Sequence, residues 1–392
     1  MKILILEDED TKFNQINEHV LSIIPDAEIH REKTWHDYSV TVVGTKFDLI
    51  LLDLIVPRSQ RDSTVEDHHE SLVDTTRDYR SQSFRTPAIV LTRHNLNEGD
   101  FVHDLNLVDI NVIHFNEHGQ WREALEFKLL AAKPPKKFDA VIICAIQKEA
   151  DAFEGLTDTW GDLETISGLL CREVQIGKYK TVIVHANRMG LVSSAVASAF
   201  AIDRFNPRLI CMSGICGGVK GESNIYDLLI TQSCHQHDAG KWTTDGFKSE
   251  HYDIPIKAST HNTLSQLASK QNLKSEILNT LNPGRSEFPK GVESINFKIH
   301  PNAITSSGSA VIAEEKKTGS LSIGQRKLSG FDMEVYSVYE AARLAPAGIA
   351  FFAAKSVVDD GGRNKGDAFH RIACLISAHF VVAAIRAGIC ET

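Results

Sequence analysis

No cysteine precedes residue 140 of this 392-residue chain, and the seven that follow, at 144, 171, 211, 216, 234, 374 and 390, are odd in number and form no CxxC pair. A disulfide framework is thereby excluded and a zinc site disfavoured, so buried free thiols are expected. No uncharged apolar run reaches the roughly 18 residues that a membrane span needs. The opening MKILILEDED runs from an apolar strand into four acids, without the basic start, apolar middle and small-residue cleavage site of a secretory signal. A cytoplasmic chain with no membrane partner is expected. A basic surplus is lacking too: 42 Lys and Arg stand against 51 Asp and Glu. The deficit lies in residues 1–130, with 13 cations against 24 acids, while residues 138–392 hold 26 against 27. Neither part offers the basic footprint of a nucleic-acid partner or a basic recognition helix.

What is present is the composition of a globular protein, 42% hydrophobic and 24% charged. The length implies two domains. Residues 131–137, Ala-Ala-Lys-Pro-Pro-Lys-Lys, break the helical pattern of Trp121–Leu130 and precede a new apolar strand at Phe138, so they read as a linker between domains at 1–130 and 138–392. Before it, short apolar strands at Lys2–Leu6, Leu49–Leu52, Ala88–Leu91 and Asn111–His114 alternate with amphipathic or polar segments, as βα units of a parallel sheet do. Residues 58–86 read as an enlarged loop or helical insertion. After the linker, strands are expected at 139–145, 181–186, 208–213, 226–232 and 350–357, and helices at 147–155, 190–205, 334–344 and 368–387. The fold class is α/β throughout.

Glu7 and Asp8 end the first strand, and Asp53 ends the strand within Asp48-Leu-Ile-Leu-Leu-Asp53. In a doubly wound sheet such strand ends gather at one crevice, where three carboxylates can surround a divalent cation and Asp53 can attack a phosphoryl group. Each acid alone reads equally as a solvated strand end. Together, ILILEDED, DLILLDLIVP and PAIVLT resemble the receiver domain of bacterial response regulators, a flavodoxin-like fold. That resemblance implies Asp53 as phosphoacceptor, Glu7, Asp8 and Asp53 as Mg²⁺ ligands, Thr92 as switch hydroxyl, and a sensor histidine kinase or similar phosphorylating partner. The lysine that ordinarily ends the last strand is missing from Val112-Ile-His-Phe-Asn116, leaving His114 or Asn116 in its place.

In the C-terminal part three acids follow strands: Glu149 in Ile146-Gln-Lys-Glu149, Glu334 in Phe331-Asp-Met-Glu334, and Asp359 in Lys355-Ser-Val-Val-Asp359. Cleavage of a base from ribose needs an acid at the base, a carboxylate to activate water and a partner for the ribose hydroxyls. Between the acids lies Met212-Ser-Gly214-Ile215-Cys216-Gly217-Gly218, read as a glycine turn where backbone amides approach a ligand. Taken singly, these are also ordinary helix-start acids and tight turns. In order, AIQKEADAF, NRMGLVSSA, MSGICGGV, QHDAG, FDMEVYSVYEAA and KSVVDDGG resemble the nucleoside phosphorylase and nucleosidase superfamily, notably methylthioadenosine/S-adenosylhomocysteine and AMP nucleosidases. By resemblance Glu149 activates water, Glu334 binds the ribose 2′- and 3′-hydroxyls with Met333 beside it, Asp359 protonates purine N7, and this site needs no cofactor. The pairs His235/His237 and Cys211/Cys216 accordingly hold no metal. Phosphorylases of the superfamily carry an arginine where Met212 stands, so water is the expected nucleophile.

Arg188 follows a strand and opens a helix, a place suited to phosphates; Lys241, Lys316, Lys317, Arg363 and Lys365 are further cations. A receiver joined to a nucleosidase resembles the effector of the Detocs two-component-type anti-phage systems, which implies cleavage of ATP to adenine and ribose 5′-triphosphate by a homo-oligomer. The other readings are a metabolic nucleosidase or phosphorylase of AMP, adenosine or methylthioadenosine, and a non-catalytic nucleotide sensor.

Overall fold

The computed structural model describes the whole chain except residues 63, 82–85, 94–100, 117, 135, 251, 311–324, 326, 346–347 and 362–366, and describes the backbone alone at 76–81. Two compact units result, Met1–Pro135 and Lys136–Thr392.

The first unit is a parallel sheet. Strands β1 (Lys2–Leu6), β2 (Glu28–Glu32), β3 (Leu49–Leu52), β6 (Ala88–Thr92) and β7 (Asn111–His114) lie in the order β2-β1-β3-β6-β7, and a short hairpin, β4 (Ile55–Pro57) and β5 (Val65–Asp67), follows the third. Alternate side chains leave opposite faces of a strand, which is why ILIL, LILL and AIVL are apolar without interruption. Leu4, Leu6, Ile50, Leu52 and Val90 pack with Tyr38, Leu72 and Leu105 on one face. Ile3, Ile5, Leu49, Leu51, Ile89 and Leu91 pack with Ile16, Val20, Trp121 and Leu125 on the other. The chain turns to opposite sides of β1, so the β1 and β3 ends form the switch point of the sheet. The insertion at 58–86 supplies β5 and the helix His69–Ser81.

The second unit is built on a ten-stranded mixed sheet. Strands β8 (Ala140–Cys144), β9 (Thr159–Ile166), β10 (Leu169–Ile176), β11 (Tyr179–His185), β12 (Leu209–Gly218), β13 (Leu228–Gln236), β16 (Ile254–Pro255), β17 (Ile299–Ser307) and β18 (Leu328–Asp332) run in the order β16-β13-β17-β18-β12-β8-β11-β10-β9, while β14 (Gly240–Thr243) and β15 (Gly246–Ser249) form a separate hairpin. Strand β19 (Ala350–Asp359) pairs with both β12 and β13. The pairings β12–β19, β19–β13, β13–β17, β17–β18 and β18–β12 thus close a circuit. Its long parallel edge, Leu209–Gly217 against Ala350–Asp359, is buttressed by the helix His370–Arg386. The segment Asp367–Arg386 is long and apolar enough to cross a membrane by composition, but 61% of its most apolar window is buried inside the unit. All seven cysteines are buried and free.

Candidate active site

Glu149 follows β8 in the first turn of the short helix Gln147–Asp151, where unpaired backbone donors face a side chain folded back on them. Its Oε2 accepts the Ala145 and Ile146 N–H groups at 2.7 and 3.2 Å, and Oε1 accepts the Ile215 N–H at 2.9 Å. The last contact explains the glycine beside it. Gly214 has φ +153°, and a Cβ there would lie 1.9 Å from Glu149 Oε1. Likewise a Cβ at Gly217 would lie 2.4 Å from the Phe331 ring. The expected glycine turn is therefore corrected: residues 214–218 continue β12 as strand, with a register shift at Cys216/Gly217, and the glycines serve close approach rather than chain reversal.

Glu334 precedes the helix Val335–Arg343. Asp332 Oδ1 fixes that helix start by accepting the Glu334 N–H at 2.7 Å, the Val335 N–H at 2.9 Å and the Ser307 hydroxyl at 2.8 Å. Glu334 Oε1 accepts the Gly190 N–H at 3.0 Å. Between the two glutamates stands Lys355, from the middle of β19 and 1% exposed, with Nζ 3.7 Å from Glu149 Oε1 and 3.7 Å from Glu334 Oε2. Among the described residues that ammonium has no hydrogen-bond acceptor. Burial pushes the Glu334 carboxyl above the usual carboxylate range, against the opposing pull of Lys355. For Lys355, burial works against the charge, but Glu149, Glu334 and Asp332 outweigh it and hold the pKa above the ordinary lysine value. Asp359 ends β19, its Oδ1 accepting the Gly361 N–H at 2.8 Å. Glu149, Glu334, Asp359, Met333, Ile215, Cys216 and Gly217 line one cleft of ≈310 Å³, closed further by Phe331, Asp367 and His370. Glu149, Glu334 and Asp359 in one largely apolar cleft, the two glutamates close to a buried cation, can hold a polar substrate and move protons at opposite ends of it.

The family model of the phosphorylase superfamily matches residues 139–386. The chain belongs to this superfamily. Over 98% of its length it is 23% identical to the uncharacterized protein y4jS of Sinorhizobium fredii, of which it covers 98%. It is 32% identical to a 5′-methylthioadenosine/S-adenosylhomocysteine nucleosidase of Desulfotalea psychrophila over 27% of this chain, and so spans about half of that relative, 49% of its length. The futalosine hydrolase of Helicobacter pylori superposes with a TM-score of 0.51 at 18% identity, covering 64% of this chain and 97% of that one, a likeness of fold.

Within the superfamily domain, two side chains that carry the site's electrostatics, Lys355 and Asp332, escape the sequence reading. The available signal for the first is a lysine inside the otherwise apolar run FFAAKSVV. Met212 is wholly buried in β12 and does not line the cleft. Arg188 is exposed and lines a neighbouring cavity of ≈570 Å³, which shares Met189 with the first and contains His185 and the start of the helix Leu191–Phe205. Lys241 lies on the exposed β14 hairpin. Lys316, Lys317, Arg363 and Lys365 lie outside the described residues.

In the first unit Glu7 is buried and Asp53 lies close to it, but a cation already joins them. Lys12, from the helix Asp10–Ile23, places its Nζ 2.8 Å from Glu7 Oε2 and in hydrogen-bond contact with Asp53 Oδ2. Burial pushes the Glu7 carboxyl up to about 7 even with Lys12 beside it, and burial raises Asp8 as well. Thr92 ends β6, its partner His114 in β7 being exposed and Asn116 half-buried. Among the described residues no group of three or more His, Cys, Asp or Glu is disposed to hold a metal. The Mg²⁺ implied by resemblance does not fit this arrangement.

Proposed function

We propose that the C-terminal unit hydrolyses the N-glycosidic bond of an adenine nucleotide, ATP above others, releasing adenine and ribose 5′-triphosphate. The observation that carries this reading is the one cleft lined by Glu149, Glu334 and Asp359, with the buried ammonium of Lys355 3.7 Å from a carboxylate oxygen of each glutamate. In this reading Glu334 accepts hydrogen bonds from the ribose 2′- and 3′-hydroxyls. Glu149 takes a proton from water as the water oxygen bonds to C1′, the C1′–N9 bond breaks with its electron pair passing to the purine, and Asp359 gives its proton to N7. Lys355 opposes the burial that favours the protonated form of Glu334 and offers its unused N–H bonds to the attacking oxygen. The likeness to a nucleosidase supports adenine as the base. Buried Met212 leaves no charge there for inorganic phosphate, which supports water as nucleophile.

The preference for a nucleotide rests on the adjoining cavity, where Arg188 and the N-terminus of a 15-residue helix flank the space beyond Met189. The first unit, with its β2-β1-β3-β6-β7 order and Asp53 at the switch point, acts in this reading as a receiver whose phosphorylation by a partner kinase controls the nucleosidase, in the manner of a Detocs defence effector. Exposed Met189, Val192, Val196 and Phe200 near and along one helix favour a homo-oligomer. Incubation of the full chain with ATP, AMP, adenosine and methylthioadenosine, with free adenine measured, tests the substrate. Adenine from ATP ahead of the others is expected; release from methylthioadenosine alone would make this a metabolic nucleosidase.

A further inference from the structure

We infer that Lys12 is the resident cation of the acidic cleft in the first unit and that it excludes a divalent metal ion from Asp53. The ammonium is 1% exposed, with one donor on Asp53 Oδ2, one toward Glu7 Oε2 at 2.8 Å, and the Phe115 ring centre 5.5 Å away. A hard cation such as Mg²⁺ needs about six oxygens, several of them from the protein, held at close range. Many of the oxygens at this cleft already have partners. Glu7 Oε1 accepts the Glu9 N–H at 3.1 Å, and Asp53 Oδ1 accepts the Ile55 N–H at 3.4 Å. Arg31 donates to the Glu7 carbonyl at 3.0 Å and to the Asp8 carbonyl at 3.1 Å.

Charge gives the same answer by a separate route. Glu7, Asp8, Glu9, Asp10 and Asp53 crowd this end of the sheet, but Lys12 pairs with Glu7 and Asp53, Arg93 with Glu9, and Arg31 and Lys33 with Asp10. Five carboxylates face four cations, so only the charge of Asp8 is left over to draw in a doubly charged ion and offset the loss of its water. The same ammonium lies where any group carried by Asp53 would meet its first positive charge. The sequence hides this residue because it comes from the first helix, not from the end of β7. The inference stands on these contacts and does not depend on reading the unit as a receiver.

The test is Mn²⁺ binding to the full, chelator-treated chain, followed by the paramagnetic resonance signal of the free ion. Wild type should bind no ion at this cleft at millimolar Mn²⁺, whereas Lys12→Met should acquire one site at least about tenfold tighter than any in wild type. Adding Asp53→Asn to Lys12→Met should abolish that site, and Lys12→Arg, which keeps the charge, should stay ion-free. If Lys12→Met does not fold, the wild-type arm decides alone: one Mn²⁺ bound per chain and lost in Asp53→Asn would overturn the inference. Equal binding by wild type and Lys12→Met, or binding by neither, would overturn it as well.

Discussion

In the proposed reaction Asp359 and Lys355 act from opposite ends of one strand segment, and their predicted failures differ in kind. Asp359→Asn retains a hydrogen bond to the base but has no proton to give N7, so turnover should fall by about 10²–10⁴-fold with nucleotide affinity little changed. Near-normal release of adenine by this variant at neutral pH would remove Asp359 from the mechanism. Lys355 touches no reacting atom until water arrives and is first a positioning residue. Burial raises the Glu334 carboxyl and Lys355 opposes that rise. Without the ammonium only the Gly190 N–H still opposes burial, so Glu334 keeps its proton to higher pH, and its hold on the ribose hydroxyls is lost sooner as pH falls. The acid limb of the pH–rate profile of Lys355→Met should therefore move to higher pH, and Lys355→Arg should bring it back, because guanidinium keeps its charge throughout. A uniform loss of rate with the limb unmoved would reduce Lys355 to a structural role. Glu149, Glu334 and Asp359 were legible because acids directly after apolar strands stand out. Lys355 was not, because a lysine inside a strand reads as a blemish until its two partners, some 200 and 20 residues away in sequence, are brought to it.

Strands buried on both faces announce themselves, since nothing but packing explains runs such as ILIL or AVIIC, and β1, β3, β6, β8, β12 and β19 were all visible. Two edge strands were not, and neither were the interior strands β10, β17 and β18. Strand β2, Glu28–Glu32, has a single apolar residue, Ile29, and is held by its pairing to β1, and β9, five of whose eight residues are exposed, shows no continuous apolar run. The glycine segment of β12 misled for a related reason: Gly214 and Gly217 look like a turn when only the local chain is considered, and are required by Glu149 and Phe331 from other elements. What holds this strand at the right depth is the last helix. Ser377 Oγ accepts the Gly214 N–H at 2.9 Å, donates to the Ala354 carbonyl at 2.7 Å and bonds the Ser213 hydroxyl at 2.7 Å, all of it buried. Ser377→Ala should leave the Gly214 N–H unpaired in the core and cost about 1–3 kcal/mol in urea unfolding of the second unit. Because the same amide run carries the Ile215 N–H to Glu149, adenine release should fall together with stability; a variant as stable as wild type would mean the strand is held elsewhere.

At the scale of the whole molecule, an acidic unit and a nearly neutral unit share one chain, and in the proposed reading, where the first is phosphorylated and the second hydrolyses nucleotides, the value of joining them lies in control. Unrestrained loss of adenine nucleotides is lethal to a cell, so the nucleosidase must be mostly off until called upon. A swing from 1:99 to 99:1 needs about 5.5 kcal/mol of differential stabilisation between two states of the first unit. In that reading a phosphoryl group on Asp53 brings new charge and acceptor oxygens to a crevice where the carboxylate is now tied to Lys12, and the proposed switch hydroxyl is that of Thr92 at the end of β6. The ion pair with Lys12 must be rearranged in that step, so the resting state is held by a definite contact and not by the mere absence of phosphate. Treatment of the full chain with a small phosphodonor or a partner kinase should raise adenine release from ATP in wild type and leave Asp53→Asn unstimulated. Thr92→Ala should take up phosphate on Asp53, seen as an acid-stable, hydroxylamine-labile label, yet gain less activity from it. Equal stimulation of wild type and Asp53→Asn would sever the two units functionally, leaving the hydrolytic cleft of the second to stand on its own geometry.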